Sequence, residues 1–411
     1  MRYRMKYGRG RILAVIAVAV LLCAAAALAL WWSGRGSGGS QDEQGISGTG
    51  TDARSPREDE SGAVPDESGS GAADRTGTDA ETAAQTVPET EAVPLIQTVT
   101  ISAAGDVSLG TLQTHGYSGS LRQAAEEYGT SYFFRNVRHV FENDDMTLVN
   151  FEGVLTYSDQ ARSDQEFLIR GDPEWIEALP EGSIEAVAFS NNHDYDYLQQ
   201  GWDDTVAAFE SAGLVWSAEE TYGYYTTDEG FTIGMVSVNK LNRLEEARAA
   251  LRRGITALRE EGVDIVIAYI HIGVEMSYYP EDYEIELDRQ CVDWGADLVL
   301  NTHSHCLRGI EEYEGRFIVH GMGNFCFGAN RNPSDKDSMI FQQTWTFIDG
   351  VMQPDIDVHV EPCLISSTAG RNDYCPTTLT GSEYDRVLAN INTYSEPFDT
   401  QFDENGDYIP G

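Results

Sequence analysis

Residue types that bind metals recur in this chain wherever an apolar, β-branched run ends. Gly105-Asp106 closes the first run, Asn150-Phe151-Glu152 the second, and Asn191-Asn192-His193-Asp194-Tyr195-Asp196 the third. Two later runs end in His271-Ile272-Gly273 and in Asn301-Thr302-His303-Ser304-His305. Each is weak alone, because an Asp after a strand commonly caps a turn, and an isolated histidine such as His115 or His359 reads as a surface or core residue. The coincidence carries the signal. Four of the eight histidines stand at run ends beside Asp, Glu or Asn. In open α/β sheets, ligands bind beyond the carboxyl ends of the strands. Imidazole, carboxylate and amide oxygen together form a donor set for Mn, Fe or Zn rather than for a thiolate centre.

Such residues converge only if the runs are neighbouring strands. The runs are 98–104, 146–149, 185–189, 231–238, 264–270 and 297–300, and helical patterns intervene at 205–212, 244–261 and 284–294, each stopped by a glycine. Strand and helix alternating at this spacing argue an α/β layered sheet. Beyond about residue 309 the pattern becomes strands and turns, at 309–313, 316–320, 339–348 and 353–361. Glu314-Gly315 and Asp349-Gly350 are hairpin signals within it. The expected architecture is an α/β body ending in antiparallel strands. If any disulfide forms, Cys363 and Cys375 are the best-placed pair; Cys291, Cys306 and Cys326 read as buried thiols.

The chain before this body differs in kind. Residues 1–11 hold five basic residues, and 12–32 form an uncharged run of 21 residues ending in Trp31-Trp32. A helix of about 20 apolar residues crosses a bilayer, and basic flanks stay on the cytoplasmic side. The reading is a cytoplasmic tail at 1–11, a single transmembrane anchor at 12–32 and an extracellular remainder. A cleaved signal peptide is the rival, although its apolar core is typically only ~7–15 residues. Residues 33–93 lack Leu, Met, Phe, Trp and Tyr, a composition too polar to offset ordering entropy, and read as a disordered acidic linker. Residues 94–411 then form the folded domain, with 54 acidic against 18 basic residues. That charge argues against nucleic acid as a partner.

In order and spacing, the strand-end motifs resemble the calcineurin-like metallophosphoesterase superfamily, and within it the bacterial poly-γ-glutamate capsule synthesis (CapA-like) branch. The matching motifs are Gly105-Asp106, Asn150-Phe151-Glu152, Asn191-Asn192-His193 with Asp196, His271-Ile272-Gly273, His303-Ser304-His305 and Gly323-Asn324-Phe325. The resemblance implies a four-layer αββα sandwich, two divalent ions, and a membrane-anchored protein facing outward. Carried over residue by residue, it implies Asp106 and His305 on one ion, Asn192, His271 and His303 on the other, and Glu152 between both. His193 would stand over the ions as an acid, oriented by Asp196 or Asp194. Two such ions would supply positive charge for a transferring oxyanion and a more acidic water.

The chain also departs from the pattern. Ser108 stands where the superfamily has a histidine, the bridging carboxylate is Glu152 rather than an Asp, and Asn301, Ser304 and Ile272 replace the branch's usual Gly, Pro and Trp. The first ion would keep only Asp106, Glu152 and His305. Two functions follow: a hydrolase acting outside the cell on a phosphoester or an anionic polymer, or an assembly and export factor that grips such a polymer through its metals without cutting it. Other capsule-synthesis membrane proteins are the expected partners. A third reading, a polysaccharide-binding domain, lacks a stripe of exposed aromatics.

Overall fold

The computed structural model describes residues 93–239 and 243–411. The tail, the anchor at 12–32 and the linker up to residue 92 lie outside the described residues. Among the described residues, no helix is long and apolar enough to cross a membrane.

The domain is a mixed α/β structure with two large mixed sheets and a small third one. In the first large sheet, Ile96–Ser108, Met146–Phe151, Ala186–Ala188 and Val215–Ser217 run parallel in that order. Asp337–Ile348 joins antiparallel to Ile96–Ser108, and Asp357–Leu364 joins antiparallel to Asp337–Ile348. In the second, Thr232–Val238, Ile265–His271, Leu298–Thr302 and Arg316–Val319 run parallel. Gly223–Thr226 and Ile310–Tyr313 close its edges antiparallel.

Strand alternation dictates where each residue goes. Val99, Ile101, Ala103, Met146 and Leu148 of the first sheet meet Ile265, Ile267, Tyr269, Leu298 and Leu300 of the second in one buried core. The opposite faces are covered by helices. Leu121, Ala208 and Phe209, from helices Leu121–Tyr128 and Leu198–Ser211, pack on Val149, Phe151 and Val187. Leu251, Ile255 and Leu258, from helix Leu244–Glu261, pack on Val266, Ala268 and Ile270. That helix shows why this sequence is helical: Ala247, Leu251, Ile255 and Leu258 make one buried stripe. Glu245 and Glu246 favour its N-terminal end. Gly262, at φ 77°, ends it in the left-handed conformation.

Several expectations hold and some move. Both hairpin turns form, with Glu314, Gly315, Asp349 and Gly350 all at positive φ. The expected 205–212 helix starts earlier, at Leu198, and takes in Gly201, where a Cβ would come 2.6 Å from the Tyr197 Cβ. The chain does not end in strands alone, since helix Ser382–Ser395 places Val387, Leu388 and Ile391 in the inter-sheet core. No disulfide joins Cys363 and Cys375; all five described cysteines are free and buried.

Candidate functional site

The parallel strands of both sheets end at one place. Asp106 is reached through a bend that only glycine allows, because a Cβ on Gly105 would fall 1.9 Å from the Gly323 carbonyl oxygen. That oxygen accepts the Asp106 N–H at 3.0 Å, so the Gly-Asp and Gly-Asn-Phe motifs are two sides of one backbone contact. Glu152 is fixed likewise by its N–H to the Val107 carbonyl at 2.8 Å.

The predicted residues come together around these two carboxylates. Asp106, Glu152 and His305 bring ligand atoms within 4.8 Å of one another. His305 Nδ1 lies 3.1 Å from Asp106 Oδ2, and its Nε2 lies 3.8 Å from Glu152 Oε1. On the other side, His271 Nε2 stands 2.8 Å from Asn192 Oδ1 and 3.1 Å from His303 Nδ1, so three donor atoms converge there as well. His193 Nδ1 is 2.7 Å from Asp196 Oδ2, and its Nε2 points toward Glu152 Oε1 at 3.8 Å. Asp196 thus meets the His193 ring at Nδ1. Asp194 lines a neighbouring cavity of about 750 Å³ together with Arg162, Asn192, Tyr195, Trp202 and Arg243.

Residues outside the expected set hold these groups in place. Asn150 donates to Asp106 Oδ1 at 2.8 Å, and Thr302 Oγ1 lies 2.9 Å from His271 Nδ1. Asn191 Oδ1 accepts the His193 N–H at 3.0 Å, and Asn324 Oδ1 lies 3.0 Å from His305 Nδ1. Asn150, Asn191 and Asn324 were visible within the motifs, but nothing in the sequence distinguished ligand from support. Glu275 is the clearest omission. It forms a second group with His303 and His305, again with ligand atoms within 4.8 Å. Its one sequence signal was a position four residues after His271. His303 (φ 85°) and His305 (φ 54°) both occupy the left-handed region, where strain tends to concentrate at functional sites.

The electrostatics suit a cation. Burial pushes the pKa of Glu152 upward, and neither of its buried side-chain oxygens has a hydrogen-bond partner. A buried carboxylate left so is costly, and carboxylate oxygens beside imidazole nitrogens match the donors a divalent ion takes. Burial lowers the pKa of His271 strongly and that of His303 to about 4, keeping both rings in the neutral form that ligates metals. For His305 and His193 burial also opposes charge, yet the net shift is upward. The Glu152 and Asp106 carboxylates outweigh it at His305, and the Asp196 bond with Glu152 outweighs it at His193. The residues present fit a divalent metal centre.

Fold and site together define a mixed α/β domain with a buried histidine–carboxylate cluster where its parallel strands end. Residues 100–329, more than half of the chain, match the family of the bacterial capsule synthesis protein PGA_cap, and the chain belongs to that family. It is 25% identical over 289 residues to the capsule biosynthesis protein CapA of Bacillus anthracis, covering 63% of this chain and 68% of that one. It is 26% identical over 245 residues to the PGA biosynthesis protein CapA of Bacillus subtilis (strain 168), covering 55% and 62%. Among solved structures, a hypothetical protein from Thermus thermophilus aligns over 64% of this chain and 99% of its own, at 16% identity and a TM-score of 0.40. That structural likeness is distant.

Proposed function

We propose that this protein is a divalent-metal-dependent hydrolase of an anionic cell-surface polymer or phosphoester, working in poly-γ-glutamate capsule biosynthesis. On this reading the fold is the metallophosphoesterase-like four-layer αββα sandwich, supported by one core between the sheets and helices on both outer faces. The domain stands outside the cell on the 12–32 anchor, supported by the basic residues before that run and the acidic segment after it. The family and the biosynthetic relatives support the capsule assignment.

The observation that carries the reading is Glu152, a buried carboxylate with two unpartnered oxygens between His305 and His193. Asp106, Glu152 and His305 would hold one ion and Asn192, His271, His303 and Glu152 a second. The ions would supply Lewis acidity and positive charge to the reacting group. The chain's own residues do the rest. Asp196 Oδ2 accepts from both the Ile169 N–H at 2.7 Å and the His193 ring, which fixes the ring's orientation. His193 Nε2 then carries its proton toward the space beside Glu152, placed to pass it to a leaving oxygen or nitrogen. General acid catalysis of this kind contributes about 10²–10⁴ in rate.

The neighbouring cavity, lined by Arg162 and Arg243 together with Asp194, Glu219 and Glu220, offers room for a substrate beside Asn192. At the domain's strongly acidic balance, an anionic polymer is repelled only within about 8 Å at physiological salt, and bound dications would give it a local anchoring point. His193→Ala tests the proposal: turnover of a phosphoester or of poly-γ-glutamate disappears while metal content stays full. Wild-type protein with full metal that turns over neither substrate, and a His193→Ala strain that still makes polymer, overturn catalysis in favour of an assembly or export factor.

A further inference from the structure

Between the Ile265–His271 strand and the Asp282–Asp293 helix, the chain carries Glu275 to the edge of the cluster. Glu275 is exposed, whereas His303 is buried and His305 half-buried. It reaches one histidine from each of the two sets that the metal-centre reading separates.

An exposed acid on a loop is ordinarily a solvated charge. This loop, however, is pinned on both sides of Glu275 by a fully buried arginine. Arg308 donates from Nη2 to the Val274 carbonyl at 2.9 Å and from Nε to the Ser277 carbonyl at 2.7 Å. Its Nη1 pairs with the buried Glu284 carboxylate at 2.5 Å. The chain runs tightly over this pair at Gly273, where φ is 122° and a Cβ would come 2.8 Å from Glu284 Oε1. Met276, itself at φ 57°, donates its N–H to the Ser304 carbonyl at 2.8 Å. That bond ties the residue after Glu275 to the turn carrying His303 and His305. The loop is built to hold a carboxylate against those rings.

We propose that Glu275 is itself a metal ligand, a carboxylate on the solvent side of the cluster that completes the coordination left short by Ser108. The inference rests on the metal-centre reading and extends it. Two dications held by Asp106 and Glu152 keep a net charge of about +2; Glu275 reduces it to about +1, weakening the mutual repulsion of ions that sit ~3.5–4 Å apart in such centres. A third carboxylate also matches the hard oxygen donors preferred by Mn²⁺.

The test is a Mn²⁺ titration by calorimetry on the full chain, in wild type, Glu275→Gln and Glu281→Gln. Glu281 is an exposed acid further along the same loop and controls for a general change of charge. The expected result is two ions in wild type and in Glu281→Gln, with one of them weakened about tenfold or more in Glu275→Gln, on the scale seen when groups supporting a metal are removed. An unchanged Glu275→Gln isotherm, or equal weakening in both variants, overturns Glu275 as a ligand while leaving the centre itself standing. Wild-type protein that takes up no Mn²⁺, and no Fe²⁺ or Zn²⁺ in parallel titrations, overturns the metal-centre reading and this inference with it.

Discussion

Around His320, the charged side chains pair with one another. Its Nδ1 meets Asp288 Oδ2 at 2.9 Å, its Nε2 meets Glu311 Oε2 at 3.2 Å, and Arg289 Nε donates to the other Glu311 oxygen at 2.7 Å. His320, Asp288 and Glu311 are all buried, and the carboxylates have no unpartnered oxygen. Around Glu152 the ingredients are the same, histidines and buried carboxylates, yet neither Glu152 oxygen has a hydrogen-bond partner. The difference teaches what burial of charge is for. The first cluster is closed by the chain and ties helix Asp282–Asp293 to strand Ile310–Tyr313 and the end of strand Arg316–Val319. The second is left open by the chain, with donors arranged for something the polypeptide does not provide.

The largest effect that sharpens this contrast is on stability. Breaking a buried ion pair by removing one partner costs about 3–5 kcal/mol, because the other charge stays buried and uncompensated. His320→Ala is expected to lose stability on that scale in denaturant unfolding, with metal content unchanged. A loss of metal on His320→Ala, with stability unaltered, would erase the distinction between the two clusters.

A smaller effect is the pH dependence of the closed cluster. Burial alone would lower the His320 pKa, but the bonds to Asp288 and Glu311 outweigh it and raise it above its ordinary value of 6.5. The unfolded chain binds fewer protons than the folded one between those two values, so stability falls as pH rises across that window. The contribution of His320 is thus fully present below about 6.5 and lost as pH climbs through the folded pKa. Melting series on wild type and His320→Ala should show the gap between them narrowing from acid to alkaline pH. A gap that widens with pH contradicts the assignment of a charged His320.

Much of the open cluster was legible in the sequence because parallel strands report their own ends. Runs such as 264–270 and 297–300 are buried on both faces, so apolar character continues until the chain leaves the sheet, and the next residues are those exposed at the rim. Asp106, Glu152, His271, His303 and His305 all stand at such ends. Helix Leu244–Glu261 was equally plain, with one apolar stripe and a terminal glycine. What escaped notice depends on contacts between distant parts of the chain. Glu275 is placed by Arg308 from beyond the next strand, and no local pattern records that bond. The three-stranded sheet has strands of two or three residues, too short for alternation to register. Helix Ser382–Ser395 buries only a few apolar residues among many polar ones. The His320 cluster was missed because its members stand apart along the chain and meet only through the packing of helix on sheet.

The most direct test of the open cluster compares metal content and melting temperature, with and without chelator, in wild type and in Glu152→Gln. A ligand that binds only the folded state at 100 times its Kd stabilises it by about 2.7 kcal/mol, so wild type purified without chelators should carry divalent metal and melt lower once stripped. Glu152→Gln should carry little metal, melt at the same temperature with or without chelator, and be no less stable than stripped wild type, since it removes a buried charge whose oxygens have no partner. Wild type that holds no metal under any loading condition, or a Glu152→Gln protein that binds metal as wild type does, would contradict the account.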